Sequence, residues 1–322
     1  MNKRIYLLIA AFLFSASIYA QKSETAKQDS IKKAKAERCK PVEEAWGSTM
    51  LVDAPTSLIP KKGSLELHIQ HRFSNLSNGI HDLFGIYGAS NIRMALQYSV
   101  IDQLLIGFGT EKDNKYQEFF AKGKLLEQTK SGSIPLSLTL YGNATISAQK
   151  KTYYIADSSD YQFKDRLSYN LQLIVARKFC KEFSLEVGGS YSHINKVEST
   201  EINDTVFFTD GKPSRIYSES VPQYQNGIFG LTVGARINFY NYHSFLLEYD
   251  QGFFTKTGGN QMLFPKPNVA FAYEIATPTH CFQVFASSYR ALNPQHNFVK
   301  NQFDFTEKLG LMLGFNITVR LR

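Results

Sequence analysis

From about residue 64 to the C-terminus, apolar and polar side chains alternate in segments near ten residues long. A period of two is that of a strand with one apolar and one polar face. In SLELHIQHRF, Leu65, Leu67, Ile69 and Phe73 share one face while Glu66, His68, Gln70 and Arg72 share the other; in SNIRMALQYS, Ile92, Met94, Leu96 and Tyr98 oppose Asn91, Arg93, Ala95 and Gln97. Similar stripes run through Leu104–Phe108, Phe119–Leu125 and Leu136–Leu140, then Leu167–Val175, Phe183–Tyr191, Phe229–Ile237, Phe245–Tyr249, Val269–Ile275, Phe282–Ala286 and Leu309–Leu321. The tally is about twelve strands.

Alternation alone fits a soluble sandwich or a membrane barrel, so strand length and link length must separate them. Strands of about ten residues match a tilted bilayer span, whereas sandwich strands usually run ~5–6. The links alternate too. Those near 99–102, 177–182, 240–243 and 277–279 are short, while those near 74–89, 145–165, 193–225, 252–267 and 289–308 are long and polar. An even-stranded barrel with periplasmic termini turns briefly on that side and at length outside. The 111–115 link is shorter and the 127–134 link longer than this order requires. The expected fold is all-β: a closed, antiparallel, up-and-down transmembrane β-barrel of about 12 strands.

If the apolar stripes face lipid, the polar stripes face inward. The candidate lumen-lining residues are Glu66, His68, Arg72, Arg93, Glu118, Lys122, Lys124, Glu186, Arg236, Glu248, Glu274 and Arg320, with Asp250 beside them. A dry sandwich core excludes such a set, because each unpaired buried charge costs several kcal/mol. A hydrated or ion-paired lumen accepts it, and the near balance of acids and bases points to a narrow, paired interior rather than an ion-selective pore. Tyr98, Tyr169, Tyr191, Tyr249 and Tyr273 fall on outward stripes, several near strand ends, as an interfacial aromatic girdle would place them.

Charge and composition refine this picture. The chain has 322 residues, 43% hydrophobic and 20% charged, and a formal charge of +8. Lys3 and Arg4 carry two of those charges and residues 21–40 a net four, so the body is nearly neutral and a nucleic-acid domain is not expected. Residues 1–20 read as a cleavable export signal: MNKR, an apolar stretch from Ile5 to Ile18, then Ala20-Gln21. Residues 21–45 read as a charged periplasmic tail without an apolar face. Residues 46–322 form the barrel domain, in which 46–62, with Trp46, Leu51, Val52, Leu58 and Ile59, is a candidate periplasmic or plug segment. Beyond residue 20 no apolar run is long enough for a membrane helix. Cys39, Cys180 and Cys281 match no zinc or redox spacing, and a Cys39–Cys180 link between tail and rim is one candidate pairing.

The stretch KKGSLELHIQHRFSNLSNGIHDLFGIYGASNIRMALQYSVIDQLLIGFG, followed by YQEFFAKGKLLEQ, resembles an uncharacterised outer-membrane β-barrel family of Bacteroidota. The likeness spans roughly 45–322 and is carried by Lys61-Lys62-Gly63, His71-Arg72-Phe73, Asn78-Gly79, Asp82-Leu83-Phe84-Gly85, Asn91-Ile92-Arg93 and Asp102. It implies the barrel and the outer membrane and carries over no functional residue.

No catalytic or metal motif stands out, and no cofactor is expected. His68 lies two residues from Glu66 on the inward face, but a structural role in a polar lumen outweighs general-base catalysis there. Gly107, Gly109, Gly188, Gly189, Gly230 and Gly234 fall inside strands, where crowded backbone explains them. The leading expectation is a non-enzymatic barrel for binding or passing small solutes. An accessory envelope protein that binds partners through loops such as NDTVFFTDGKPSRIY is the alternative, followed by an outer-membrane hydrolase or acyltransferase.

Overall fold

The structure, a computed structural model, describes residues 42, 44–151, 161–197, 199–207, 213–222, 225–254, 264–301, 303–306 and 310–321. The expected signal segment, most of the charged tail and Cys39 lie outside the described residues, and Cys180 is exposed and unbonded. The strands are β1 (Leu65–Asn75), β2 (Asn91–Ile101), β3 (Leu104–Glu111), β4 (Tyr116–Leu126), β5 (Ser137–Ser147), β6 (Leu167–Lys178) and β7 (Phe183–Ile194). There follow β8 (Ser199–Phe207), β9 (Pro213–Pro222), β10 (Gly227–Tyr240), β11 (His243–Phe254), β12 (Asn268–Ala276), β13 (His280–Ser287) and β14 (Met312–Arg320). One short α-helix, α1 (Pro294–Lys300), precedes β14.

Twelve of these strands close a barrel in the order β1-β14-β13-β12-β11-β10-β7-β6-β5-β4-β3-β2. Every pairing is antiparallel, and closure is made by β1 against β14, with Glu66 opposite Arg320 and Leu67 opposite Val319. Alternation fixes which face each residue takes, since a one-residue slip would exchange the faces. In β2, Met94 and Leu96 are 51% and 47% exposed, whereas Arg93, Ala95 and Gln97 are 5%, 3% and 4% exposed. Exposed leucines, phenylalanines and valines continue around the barrel through Phe119, Leu171, Phe229, Leu247, Phe271 and Val284. That is the inverse of a soluble protein and the expected order for a body bathed in lipid.

Aromatic rings gather toward the two rims. The Tyr169 ring stacks on His193 at 5.0 Å and Tyr191 packs on Phe229, all where β6 and β7 meet the long links, here called the outer rim. At the opposite, inner rim His243 Nδ1 lies 2.6 Å from the Tyr273 hydroxyl, beside Phe239 and Phe245. Such rings suit an interface because one end is apolar and the other hydrogen-bonds.

Two elements depart from the sequence expectation. Within the 193–225 link, expected to be a plain loop, β8 and β9 form a two-stranded ribbon of their own. Thr200-Glu-Ile-Asn-Asp-Thr-Val-Phe207 alternates only partly, and its pattern is shorter and more polar than the barrel strands. The final strand begins at Met312 rather than at Leu309, after a link that carries α1. Residues 127–135, between β4 and β5 in the chain, form with Val42 a small unit in which the Val42 N–H donates to the Gln128 carbonyl, 2.9 Å.

Candidate functional site

The lumen is occupied. From the inner rim, where Lys178 Nζ donates to the Glu44 carbonyl at 3.2 Å, the chain runs inward, turns, and returns to Lys62, whose N–H donates to Asp102 Oδ1 at 2.8 Å. Residues 49–56 form a small hairpin: Thr56 N donates to Thr49 O, Leu51 N to Ala54 O, and Met50 bridges Pro55. Inside it, Trp46 Nε1 donates to Ser57 Oγ at 3.1 Å. Trp46, Leu51, Val52, Ala54 and Leu58 pack with Leu246, Ala270, Ala272 and Phe285 of the wall. Leu51 and Val52 are fully buried, each burial contributing about 1.5–3 kcal/mol. The wall makes room for this: a Cβ on Gly234 would lie 2.2 Å from Leu51 Cδ1.

Charges of the wall hold the hairpin turn. The Glu248 carboxylate accepts from the N–H groups of Val52 (2.9 Å), Asp53 (3.1 Å) and Ala54 (3.1 Å). Arg72 donates through Nη2 to Val52 O (2.9 Å) and to Asp53 Oδ1 (2.7 Å), and its guanidinium lies 4.2 Å from the Phe285 ring centre. Asn316 donates to Val52 O and Ser287 to Asp53 Oδ2. Nearer the inner rim, Lys122 Nζ donates to Thr49 O and Leu58 O, the Ser57 N–H donates to Glu186, and Thr139 donates to Ser57 O. The two oxygens of a carboxyl group have the lone pairs for three donors, and hydrogen bonds from a charged guanidinium such as that of Arg72 are the stronger kind.

A second segment fills the lumen from the outer rim. Residues 288–301 fold inward with Tyr289, Leu292, Gln295, Phe298 and Val299 buried. Asn293 caps α1 through His296 N, with Pro294 at its first turn, a start that the sequence itself announces. Glu111 accepts from Asn293 Nδ2 (2.6 Å) and Asn91 Nδ2 (2.7 Å), while Arg290 pairs with Asp113 at 3.1 Å. A Cβ on Gly230 would meet the Phe298 ring at 2.8 Å, so this glycine admits the helix as Gly234 admits the hairpin. Between hairpin and helix remains a gap of about 10 Å³ lined by Asp53, Thr232, Asp250, Tyr289 and Phe298, room for about one water. A shallow cleft of about 230 Å³ lies beside Asn91, Asp113, Arg290 and Phe303.

The structure places Glu66, His68, Arg72, Arg93, Glu118, Lys122, Glu186, Glu248 and Glu274 on the inward side, each at most 5% exposed. Lys124, Arg236 and Arg320, toward the inner ends of their strands, are partly buried. Several pair with one another: Arg320 with Glu66 on the neighbouring strand (2.6 Å), and Arg93 with Glu118 (2.6 Å) and Arg236 with Glu274 (2.8 Å) over one intervening strand, β3 and β11. Arg72, Lys122, Glu186 and Glu248 instead turn to the hairpin, so the interior read as hydrated or ion-paired holds protein. His68 Nε2 faces Glu66 Oε2 (3.4 Å), Gln97 Nε2 (2.9 Å) and Thr49 Oγ1 (3.2 Å). One ring nitrogen meets all three, so no relay from hydroxyl through both ring nitrogens to carboxylate is built. Among the described residues no group of three or more His, Cys, Asp or Glu side chains is arranged around a metal position.

Asp53, Ser287 and Glu111 are among the lumen residues that alternation did not single out. Asp53 had a signal: it is the only charge in AWGSTMLVDAPTSLIP, an uncharged run between a basic tail and the first strand. Such a run needs burial, and a charge within it needs a partner.

A twelve-stranded antiparallel cylinder with an apolar outer band and a charged, occupied lumen is a membrane-bound β-barrel. Residues 46–321 match the family described as "Membrane bound beta barrel domain (DUF5777)", a family of unknown function, and the chain belongs to it. The match opens at Trp46, so it takes in the lumen hairpin as well as the barrel. Among solved structures the chain is similar to the NanC porin, at 7% identity over 80% of this chain and 99% of that one, with a TM-score of 0.44. It is also similar to the KdgM porin (7% identity, 80% and 99% covered, TM-score 0.41). An outer membrane channel from Pseudomonas putida F1 gives 8% identity, 82% and 97% covered, and a TM-score of 0.41. No curated protein matches the sequence.

Proposed function

We propose that the protein is a non-enzymatic outer-membrane barrel that passes a small solute, with its lumen held shut by the hairpin of residues 49–56. The clamp on the hairpin turn carries this reading: Glu248 and Arg72 hold residues 52–54 through charged hydrogen bonds. Permanent filling is achieved at least as well by apolar packing, since a buried ion pair often contributes no more than its hydrophobic replacement. A charged wall has a different merit. When the hairpin withdraws, Arg72, Lys122, Glu186 and Glu248 rehydrate, water occupies the polar inner part of the bore, and residues 288–301 lose the support of the hairpin beneath them.

Planar-bilayer conductance tests the reading. The full chain passes little current, and the plug variant Asp53→Ala/Leu51→Ser, which weakens the hairpin and leaves the wall intact, opens more often. Equal conductance in the two chains would overturn it. Trp46, the single tryptophan, lies in the plug and reports its position independently of current.

A further inference from the structure

The wall grips the hairpin mainly by its backbone. Five hairpin carbonyls accept from wall side chains: Thr49 and Leu58 from Lys122, Met50 from Gln283, Val52 from Arg72 and Asn316, and Ser57 from Thr139. Four hairpin N–H groups donate to wall carboxylates, those of Val52, Asp53 and Ala54 to Glu248 and that of Ser57 to Glu186. Among the described residues, hydrogen bonds between the wall and side chains of this segment involve three of its residues: Ser48 with Thr318, Thr49 with Gln97 and His68, and Asp53 with Arg72 and Ser287.

Main-chain amides recur in every peptide, so a wall that reads them is tolerant of sequence while selective for the class of ligand. Carboxylates are placed where N–H groups arrive, and lysine, arginine and amide donors where carbonyls arrive. A sugar presents hydroxyls without that fixed alternation of donor and acceptor, and an apolar solute presents neither. The three N–H groups converging on Glu248 further specify a chain bent through a turn.

We infer that the lumen wall is a binding seat for a short peptide segment bent through a turn, and that residues 49–58 occupy this seat in the resting protein as its built-in competitor. The inference rests on the reading of the hairpin as a removable plug and adds the ligand class. A tethered occupant enjoys an effective concentration near millimolar, so a free peptide competes measurably only once the tether's own contacts are weakened from the plug side.

The test uses the full chain in detergent micelles carrying Asp53→Ala/Leu51→Ser, with Gly234→Val, which presses on Leu51 from the wall, as a second loosened background should the first fail to fold. Two tryptophan-free, end-blocked peptides are titrated: one with the sequence of residues 48–59, the other of equal length in alanine and serine around a central Asn-Gly turn. Maltose is the control. The expected result is a saturable red shift of Trp46 emission and greater acrylamide quenching with both peptides, the native-sequence peptide binding the more tightly because it also fills the seats of Leu51, Val52 and Asp53, and no change with maltose. A shift with the native-sequence peptide alone, an equal shift with maltose, or no shift with either peptide overturns the inference. Conductance of the same variants separates the two readings: a loosened chain that conducts but ignores peptide keeps the plug and loses the peptide seat. A chain that binds peptide yet never conducts loses the passage instead.

Discussion

Arg72 Nη2 lies 2.7 Å from Asp53 Oδ1, with the two side chains 0% and 4% exposed. The pair joins the turn of the lumen hairpin to β1. Removing one partner of a buried pair leaves the other charge uncompensated, at about 3–5 kcal/mol. Arg72 keeps Val52 O and Asn316 Oδ1, so Asp53→Ala falls at the low end, about 3 kcal/mol. Arg72→Met/Asp53→Ala, which removes both charges, recovers part of the loss. Urea titration followed by Trp46 fluorescence measures both, and equal destabilisation by the single and double variants would refute the pairing.

Glu248 faces three N–H donors, and its replacement by glutamine turns one acceptor oxygen into an NH₂ group among donors. Glu248→Gln is expected to cost about 2–3 kcal/mol, the range for hydrogen bonds to charged groups. The loss falls on hairpin docking: acrylamide quenching of Trp46 rises while the far-ultraviolet strand signal stays. A loss of both together would mean that Glu248 holds the barrel rather than its occupant.

The barrel was legible in the sequence because a lipid-facing strand must alternate. Met94 and Leu96 against Arg93 and Gln97 already specify which side is which, and twelve such stripes give the strand number. Link length gave the rims as well, although β3–β4 turns through only 112–115 on the outer side. The inward charges were legible as a set. Their partners were not, because Glu248 meets residues 52–54 across nearly two hundred positions and no periodicity connects them. Composition alone hinted at the hairpin, through one uncharged run with a single aspartate. The outer helix was not read from the sequence: Asn293-Pro294 is its local start signal, but a seven-residue helix is too short for a 3.6-residue period to emerge.

Gly234 and Leu51 are complementary in shape. A Cβ at position 234 comes within 2.2 Å of Leu51 Cδ1, so Gly234→Val overpacks this point at about 1–3 kcal/mol. Leu51→Ala removes the opposing methyl groups and is expected to offset much of that loss in the double variant. Thermal denaturation of the four chains gives the coupling directly; additive effects would show that the two residues do not meet.

Outside the membrane, the Asp304 carboxylate accepts from Thr306 Oγ1 (2.6 Å) and Thr306 N (2.9 Å) and pairs with Lys266 (3.2 Å), and these bonds hold its carboxyl down at about 2. A lowered folded pKa makes the contribution fully present above the ordinary carboxylate range, and it is lost as pH falls through about 2. Amide exchange at Thr306 is therefore expected to stay protected down to about pH 3 and to rise below that. Asp304→Asn should abolish the step; a step that persists would assign it to another group.

Ser48 Oγ and Thr318 Oγ1 are 3.0 Å apart, the first in the lumen segment and the second on β14. The two side chains thus point at one another, as the partners of a disulfide must. In a Cys39→Ser/Cys180→Ser/Cys281→Ser background, which also removes the thiol opposite Thr318 on β13, Ser48→Cys/Thr318→Cys is expected to cross-link on mild oxidation and tie the segment to the wall. Added to the loosened Asp53→Ala/Leu51→Ser chain, the bond should silence its current, and dithiothreitol should restore it within the same membrane. Each single cysteine controls for the substitutions themselves. Current that survives complete cross-linking, verified by mass spectrometry of unreduced peptides, would mean that solute bypasses the hairpin and that the segment between Glu44 and Lys62 is a fixed part of the barrel.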